Sequence, residues 1–167
     1  MTLHDYLSLS PLFFLLAGTL IILFIESFFT AISSKVSPWI SLISMLAAAL
    51  SLVYAPKAES TLLTAWIEQD SFYKIASMLS LGIGIATLFL SDLLFKQFKR
   101  GRGEFDVLLL TALMGLIMVA LSADFLTLFL GLETLSLSLY VLVGYMKDWE
   151  RSSEASIKYL LLGALGA

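Results

Sequence analysis

The chain has 167 residues, 59% hydrophobic and only 14% charged, with a mean hydropathy of +0.95, a balance that belongs to membrane proteins rather than soluble domains. A net charge of −3, with the lysines and arginines grouped in short loops, leaves no basic surface of the kind nucleic acid needs. With no cysteine, the chain can hold neither disulfides nor thiolate-ligated metal or iron–sulfur clusters, and the lone His4 cannot build a haem or zinc site.

A bilayer-crossing helix needs about 20 largely apolar residues, and the sequence predicts an all-α membrane protein with five complete spans and the start of a sixth. Span one, near Leu9–Ile32, has no basic segment before it and no small-residue cleavage site after it, so it reads as an uncleaved span rather than a signal peptide. Glu26 lies in its last third, on the face of Thr19, Ile22 and Thr30, and is expected to make an interhelical polar contact. Span two, near Ser37–Ala55, starts at Pro38, which suits a first helical turn. A polar segment, Pro56–Asp70, carries Lys57, Glu59, Glu68 and Asp70. Span three follows near Phe72–Phe95, where Ser80, Gly82, Gly84 and Ala86 would let another helix approach closely.

The loop Lys96–Gly103, KQFKRGRG, reads as a topology signal, with anionic lipid or a partner as possible contacts. Span four lies near Phe105–Ser122, Ala123 and Asp124 turn the chain, and span five fills Phe125–Met146. After KDWER (Lys147–Arg151), Ser152 is placed to cap a sixth helix with Glu154 in its first turn. The nine uncharged residues after Lys158 are too few for a crossing, so a partial sixth span is expected, in the N-terminal portion of a longer protein. Asp92, Asp106, Asp124 and Asp148 fall at span ends and are expected to be solvated. Trp39, Trp66, Tyr73 and Trp149 sit where an interfacial aromatic belt would fall. Lys35, Lys96, Lys99, Arg100, Arg102, Lys147 and Arg151 share one side, against Lys57 and Lys74 on the other, which predicts an outside N-terminus.

Span five, FLTLFLGLETLSLSLYVLVGYM, contains a single ionisable residue, Glu133. A carboxylate in the bilayer costs at least a few kcal/mol, so it has to face protein, water or a partner charge. Ser136, Tyr140 and Gly144 follow it at i+3, i+7 and i+11, which makes one polar, small-residue face. An intramembrane acid beside hydroxyls suits a proton relay; the alternative is a carboxylate that ties two helices together by hydrogen bonds. Lys158 is the candidate partner, although it lies shallower than Glu133, so water or hydroxyls would have to bridge the two. Glu154, four residues before Lys158, offers a local helical ion pair instead. No nucleotide-binding loop or nucleophile–base motif appears.

Ser122-Ala123-Asp124-Phe125 followed by LTLFLGLETLSLSLYVLVGY, and then RSSEASIKYLLLGALGA, closely resembles subunit N of the proton-pumping NADH–quinone oxidoreductases, respiratory complex I. The resemblance is strongest over 103–167. It implies an antiporter-like inverted-repeat fold, with residues 1–103 as three preceding helices and a basic cytoplasmic loop, and 104–167 as the start of the proton-channel repeat. It implies Glu133 as the acidic member of a proton channel and Lys158 as its charged partner on the next helix. Ser136, Tyr140 and Glu154 stand as supporting residues. No cofactor is expected in this chain; NADH, FMN, iron–sulfur clusters and quinone are expected in partner subunits. The implied partners are other complex I membrane subunits, neighbouring antiporter-like ones above all, in a bacterial-type inner membrane with the N-terminus periplasmic. Family members commonly have proline where this chain has Ser138, so span five is expected to run straighter here. Subunits of multisubunit cation–proton antiporters, and a non-transporting membrane assembly module, are the alternatives.

Overall fold

The computed structural model describes residues 3–54, 56, 58, 60–98, 102–146 and 149–166. Among the side chains outside this description are those of residues 1–4, 30–34, 96–101, 147 and 148, so the side chains of His4, Lys57, Glu59, Lys96, Lys99, Arg100, Lys147 and Asp148 lie outside the described ones.

Eight helices follow in order: α1 (Leu3–Ser8), α2 (Ser10–Phe28), α3 (Thr30–Tyr54), α4 (Thr61–Thr64), α5 (Ser71–Phe98), α6 (Gly103–Leu121), α7 (Phe125–Val143) and α8 (Glu150–Gly166). Of these α2, α3, α5, α6 and α7 are long and apolar enough to cross a membrane, and α8 supplies the sixth predicted helix. Helix α3 begins at Thr30, earlier than expected, so Pro38 stands inside the helix rather than in its first turn. The tight joint at Phe29 leaves no room for a separate loop before it.

Helix α6 is the centre, packed against α2, α3, α5 and α7. Leu110, Leu113, Ile117 and Leu121 of α6 meet a core that includes Leu15, Ile22, Met45 and Leu81. Large apolar residues such as Phe24, Trp39, Leu79 and Phe89 point outward, as lipid-facing side chains do. Because lipid is as apolar as leucine, what joins these helices is close packing rather than escape from water. Glycines mark the closest approaches. A Cβ on Gly115 would lie 2.6 Å from the Leu135 backbone nitrogen, and one on Gly131 2.8 Å from that of Val119, so α6 and α7 touch backbone to backbone. Gly18 of α2 takes the Ser44 side chain of α3 in the same way. Of the small face expected in span three, Gly84 receives Leu113, whereas Gly82 has nothing within 4 Å.

The polar segment before α5 closes one end. Glu68 N donates to Leu121 O (2.8 Å) and Ala123 N to Trp66 O (3.0 Å), pinning the segment to the α6–α7 turn. Gln69 accepts from Ala58 N and donates to Ser8 O, and Asp5 accepts from Ser60 N. Asp124 caps α7 by accepting from Thr127 N at 2.9 Å, and hydrogen bonding from the Thr127 side chain first and its backbone N–H second holds the carboxyl below the usual carboxylate range.

Three expectations are corrected at the span ends. Tyr73 is only 3% exposed and belongs to the core, while Trp39, Trp66 and Trp149 are exposed. Asp106 is fully buried and Asp92 is bound to Arg102, so neither is simply solvated. Arg102 is more than a topology signal: its side chain is 5% exposed and folds back into the bundle.

Candidate functional site

Helix α7 continues through Ser138, which is buried against α6. Its Oγ lies 2.8 Å from the Thr134 carbonyl and 3.0 Å from Thr111 Oγ1, a polar contact across the two helices. Gly131 and Ser138 define the face of α7 that meets α6. At about 100° per residue, Glu133 is turned well away from that face, and it is partly buried.

The stripe predicted from the spacing leads to α8. Gly144 lies against Ser156, where a Cβ would come within 2.9 Å of both side-chain atoms. Tyr140 stacks edge-on against Tyr159, with centroids 4.9 Å apart, and its hydroxyl end fills the place a Cβ on Gly163 would take. A groove of about 310 Å³ runs between the two helices, lined in part by Leu137, Tyr140, Gly144 and Ser156. Ser152, expected as a cap, lies inside α8 and donates to Val143 O at 2.7 Å, holding the carbonyl end of α7 beside the start of α8.

Glu133 sits two turns beyond Tyr140 on this same stripe, near the middle of α7. Among the described residues no hydrogen bond or ion pair reaches it. Lys158 Nζ is bonded to Glu154 Oε1 at 2.5 Å, with both side chains exposed. With Ser156 seated on Gly144, Lys158 lies roughly 13 Å from Glu133 along the helix axes, at about 1.5 Å per residue. The structure therefore brings Tyr140, Gly144 and Ser156 together, and pairs Lys158 with Glu154 rather than with Glu133. Ser136 is partly buried on the stripe between Glu133 and Tyr140.

A second charged cluster was not anticipated. Arg102, just before α6, donates to Asp92 Oδ1 (2.6 Å), Leu88 O (2.8 Å), Ser91 Oγ (3.1 Å) and Asp106 Oδ1 (3.4 Å). Its guanidinium lies over Phe95, 5.8 Å from the ring centre, and Phe95 packs with Phe105 and Tyr145. Glu26 lies close enough to Asp106 to act on it electrostatically, and its neighbours Thr19 and Ile22 are buried. The four-residue spacing of Arg102 and Asp106 was the available signal. Among the described residues no three His, Asp or Glu side chains gather as metal ligands would.

Residues 122–167, which include the Glu133 segment and α8, match the transmembrane family described as NADH:quinone oxidoreductase/Mrp antiporter. The chain is 44% identical over its whole length to NADH-quinone oxidoreductase subunit N of Protochlamydia amoebophila, of which it covers 35%. It is 34% identical over its whole length to the Myxococcus xanthus subunit N, covering 33% of it. Over 90% of its length it is 35% identical to the chloroplastic NAD(P)H-quinone oxidoreductase subunit 2 of Mesostigma viride, covering 30% of that protein. It thus spans about a third of the length of these curated relatives. With identity running from α1 to α8 and a family match over the Glu133 segment, the chain belongs to the NADH-quinone oxidoreductase subunit N family.

Proposed function

We propose that this chain forms part of the membrane arm of a proton-pumping NADH–quinone oxidoreductase, and that Glu133 carries a proton within the bilayer. The observation that supports it most is the place of Glu133: mid-helix in α7, on the stripe that continues through Ser136 and Tyr140 to the α8 contact. A carboxylate there exchanges its proton with hydroxyls or water on one face while α6 packs against another. Lys158 is the charge that biases it. Paired with Glu154, the ammonium is held away from Glu133; released from Glu154, it favours the ionised acid. Tyr140 and Ser136 supply the polar surface between the two levels.

In this reading residues 104–167 open the antiporter-like repeat and 1–103 are the helices before it. The chain contributes proton movement to an oxidoreductase whose NADH, FMN, iron–sulfur clusters and quinone are held by partner subunits, neighbouring antiporter-like subunits being its contacts. The basic end of the bundle faces the cytoplasm of a bacterial-type inner membrane, with the N-terminus periplasmic. Glu133→Gln in the reconstituted complex is expected to lower protons pumped per electron at least several-fold; an unchanged ratio removes the relay role. The description of the matched family also names Mrp antiporters, and a second reading follows from it. Cation-stimulated proton transport without NADH dependence would favour a cation–proton antiporter subunit.

A further inference from the structure

Glycines mark the contacts of α7, but Gly163 of α8 differs in kind from the rest. A Cβ on Gly115 or Gly131 would first meet a backbone nitrogen, so those residues are small to let α6 and α7 touch. At Gly163 the three atoms nearest the missing Cβ are Oη, Cζ and Cε1 of Tyr140, all from one side chain. A glycine inside a helix weakens it relative to alanine, and here the vacated space seats the tip of a single tyrosine. Tyr159, one turn earlier on α8, closes on the same ring edge-on, with an interplanar angle of 89°. Nearby serine and threonine hydroxyls are spent on their own helices: Thr134 donates to Leu130 O, Ser138 to Thr134 O and Ser156 to Ser153 O. Tyr140 Oη is held out from its own backbone against α8, and among the described residues it makes no hydrogen bond. Its donor and its acceptor are left for water in the groove of about 310 Å³ that Tyr140 lines with Gly144 and Ser156.

We propose that Gly163 is a positioning residue for the Tyr140 hydroxyl, fixing it as the step by which a proton passes between water at the level of Lys158 and water beside Glu133. The levels follow from the register. Ser156 lies against Gly144 and Gly163 against Tyr140, so α8 runs antiparallel to α7. At about 1.5 Å per residue, Gly163 stands roughly 7 Å beyond Lys158 and roughly 6 Å short of Glu133 along the axes, so the hydroxyl seated on it falls midway. Each gap is spanned by one or two waters at about 2.8 Å per O–H···O link. The helical side chain leans toward the N-terminus of α7, which carries the hydroxyl from the Tyr140 backbone toward Glu133. In the transfer, a water on the Lys158 side gives a proton to Oη while the original phenolic hydrogen leaves to a water on the Glu133 side. One O–H bond forms as another breaks, and the tyrosine ends neutral. The inference rests on the relay reading of Glu133 and adds Gly163, with Tyr159 behind the ring, to the groups that make it work.

Protons pumped per electron and the infrared C–O stretch of Tyr140, assigned by difference against Tyr140→Phe, test it in the complex reconstituted in lipid vesicles. Tyr140→Phe keeps the ring between Tyr159 and Gly163 and removes only the hydroxyl, and it is expected to lower the ratio at least several-fold. Gly163→Ala, which puts a methyl where the hydroxyl sits, is expected to lower the ratio comparably and to shift the C–O band. An unchanged ratio in Tyr140→Phe overturns the proposal. So does Gly163→Ala if it changes the ratio without moving the band, which is loss of helix packing alone, or moves the band without the ratio, or changes neither. If Gly163→Ala does not assemble, Tyr159→Leu, which frees the ring without adding an atom between the helices, is held to the same two readouts. Glu133→Gln separates the two levels of the argument: an unchanged ratio there removes the relay itself, whereas a lowered ratio there with an unchanged one in Tyr140→Phe removes only the tyrosine step.

Discussion

Arg102 with Asp106, and Glu154 with Lys158, share the same four-residue spacing, and both pairs lie in or beside the opening turns of helices on one side of the bundle. Burial separates them. Arg102 is 5% exposed and bonds two carboxylates, a hydroxyl and a backbone carbonyl. Lys158 is 67% exposed and holds Glu154 alone. The first pair joins α5 to α6 and has no solvent to fall back on; the second decorates one helix and is free to exchange partners. A buried charge is costly to orphan and an exposed one is cheap to move, so the two pairs suit fixed architecture and a switch respectively.

The largest expected effect comes from breaking the buried pair. Arg102→Met would leave Asp106 facing no cation it now bonds to, and would strip donors from the Leu88 carbonyl and Ser91. Removing one member of a buried ion pair costs about 3–5 kcal/mol, so a reversible unfolding titration in mixed micelles should lose about that much stability. Arg102→Lys should recover only part of it, because an ammonium cannot reproduce the planar fork that spans Asp92, Ser91 and Leu88. A loss under about 1 kcal/mol in Arg102→Met, the range of an exposed pair, would erase the contrast with Lys158.

A second way to sharpen the contrast is to disturb packing without touching charge. Gly115→Ala drives a methyl against the Leu135 nitrogen and the Gly131 carbonyl, neither of which is the flexible end of a side chain. Overpacking of this kind costs typically about 1–3 kcal/mol, read in the same titration, and it displaces α7 from α6. Gly82→Ala, with open space around it, is the matched control and should be neutral within about 0.5 kcal/mol.

Span number and order were legible because a bilayer imposes a length and a composition on each helix. The stripe from Glu133 to Gly144 was legible because helical periodicity is arithmetic, and the α8 contacts of Tyr140 and Gly144 follow it. What escaped depended on which way a side chain turns at a helix end. Asp106 and Arg102 look like interface residues in a sequence, and only the arrival of α5, with the Leu88 carbonyl and Ser91 pointing inward, gives the guanidinium a reason to fold back. Gly115 and Gly131 likewise carry no local mark that distinguishes them from Gly82. The difference is the neighbouring helix, which sequence spacing does not name.

The smallest expected effect on stability falls on the exposed pair, and it bears most directly on function. Glu154→Gln removes the partner of Lys158 but leaves no buried charge behind, so the unfolding free energy should change by less than about 0.5 kcal/mol. If Lys158 biases Glu133, the freed ammonium should nonetheless alter the pH dependence of proton pumping in the assembled complex. If the pair is only a local helical contact, pumping and its pH profile should match the wild type. Lys158→Met separates the cases further: a relay partner lost in this way lowers protons moved per electron, whereas a helix-surface pair leaves that ratio unchanged. A shifted profile with unchanged stability in Glu154→Gln would place the switch at the exposed pair. The buried Arg102 cluster, disabled by Arg102→Met, would then alter stability first and pumping only as a consequence.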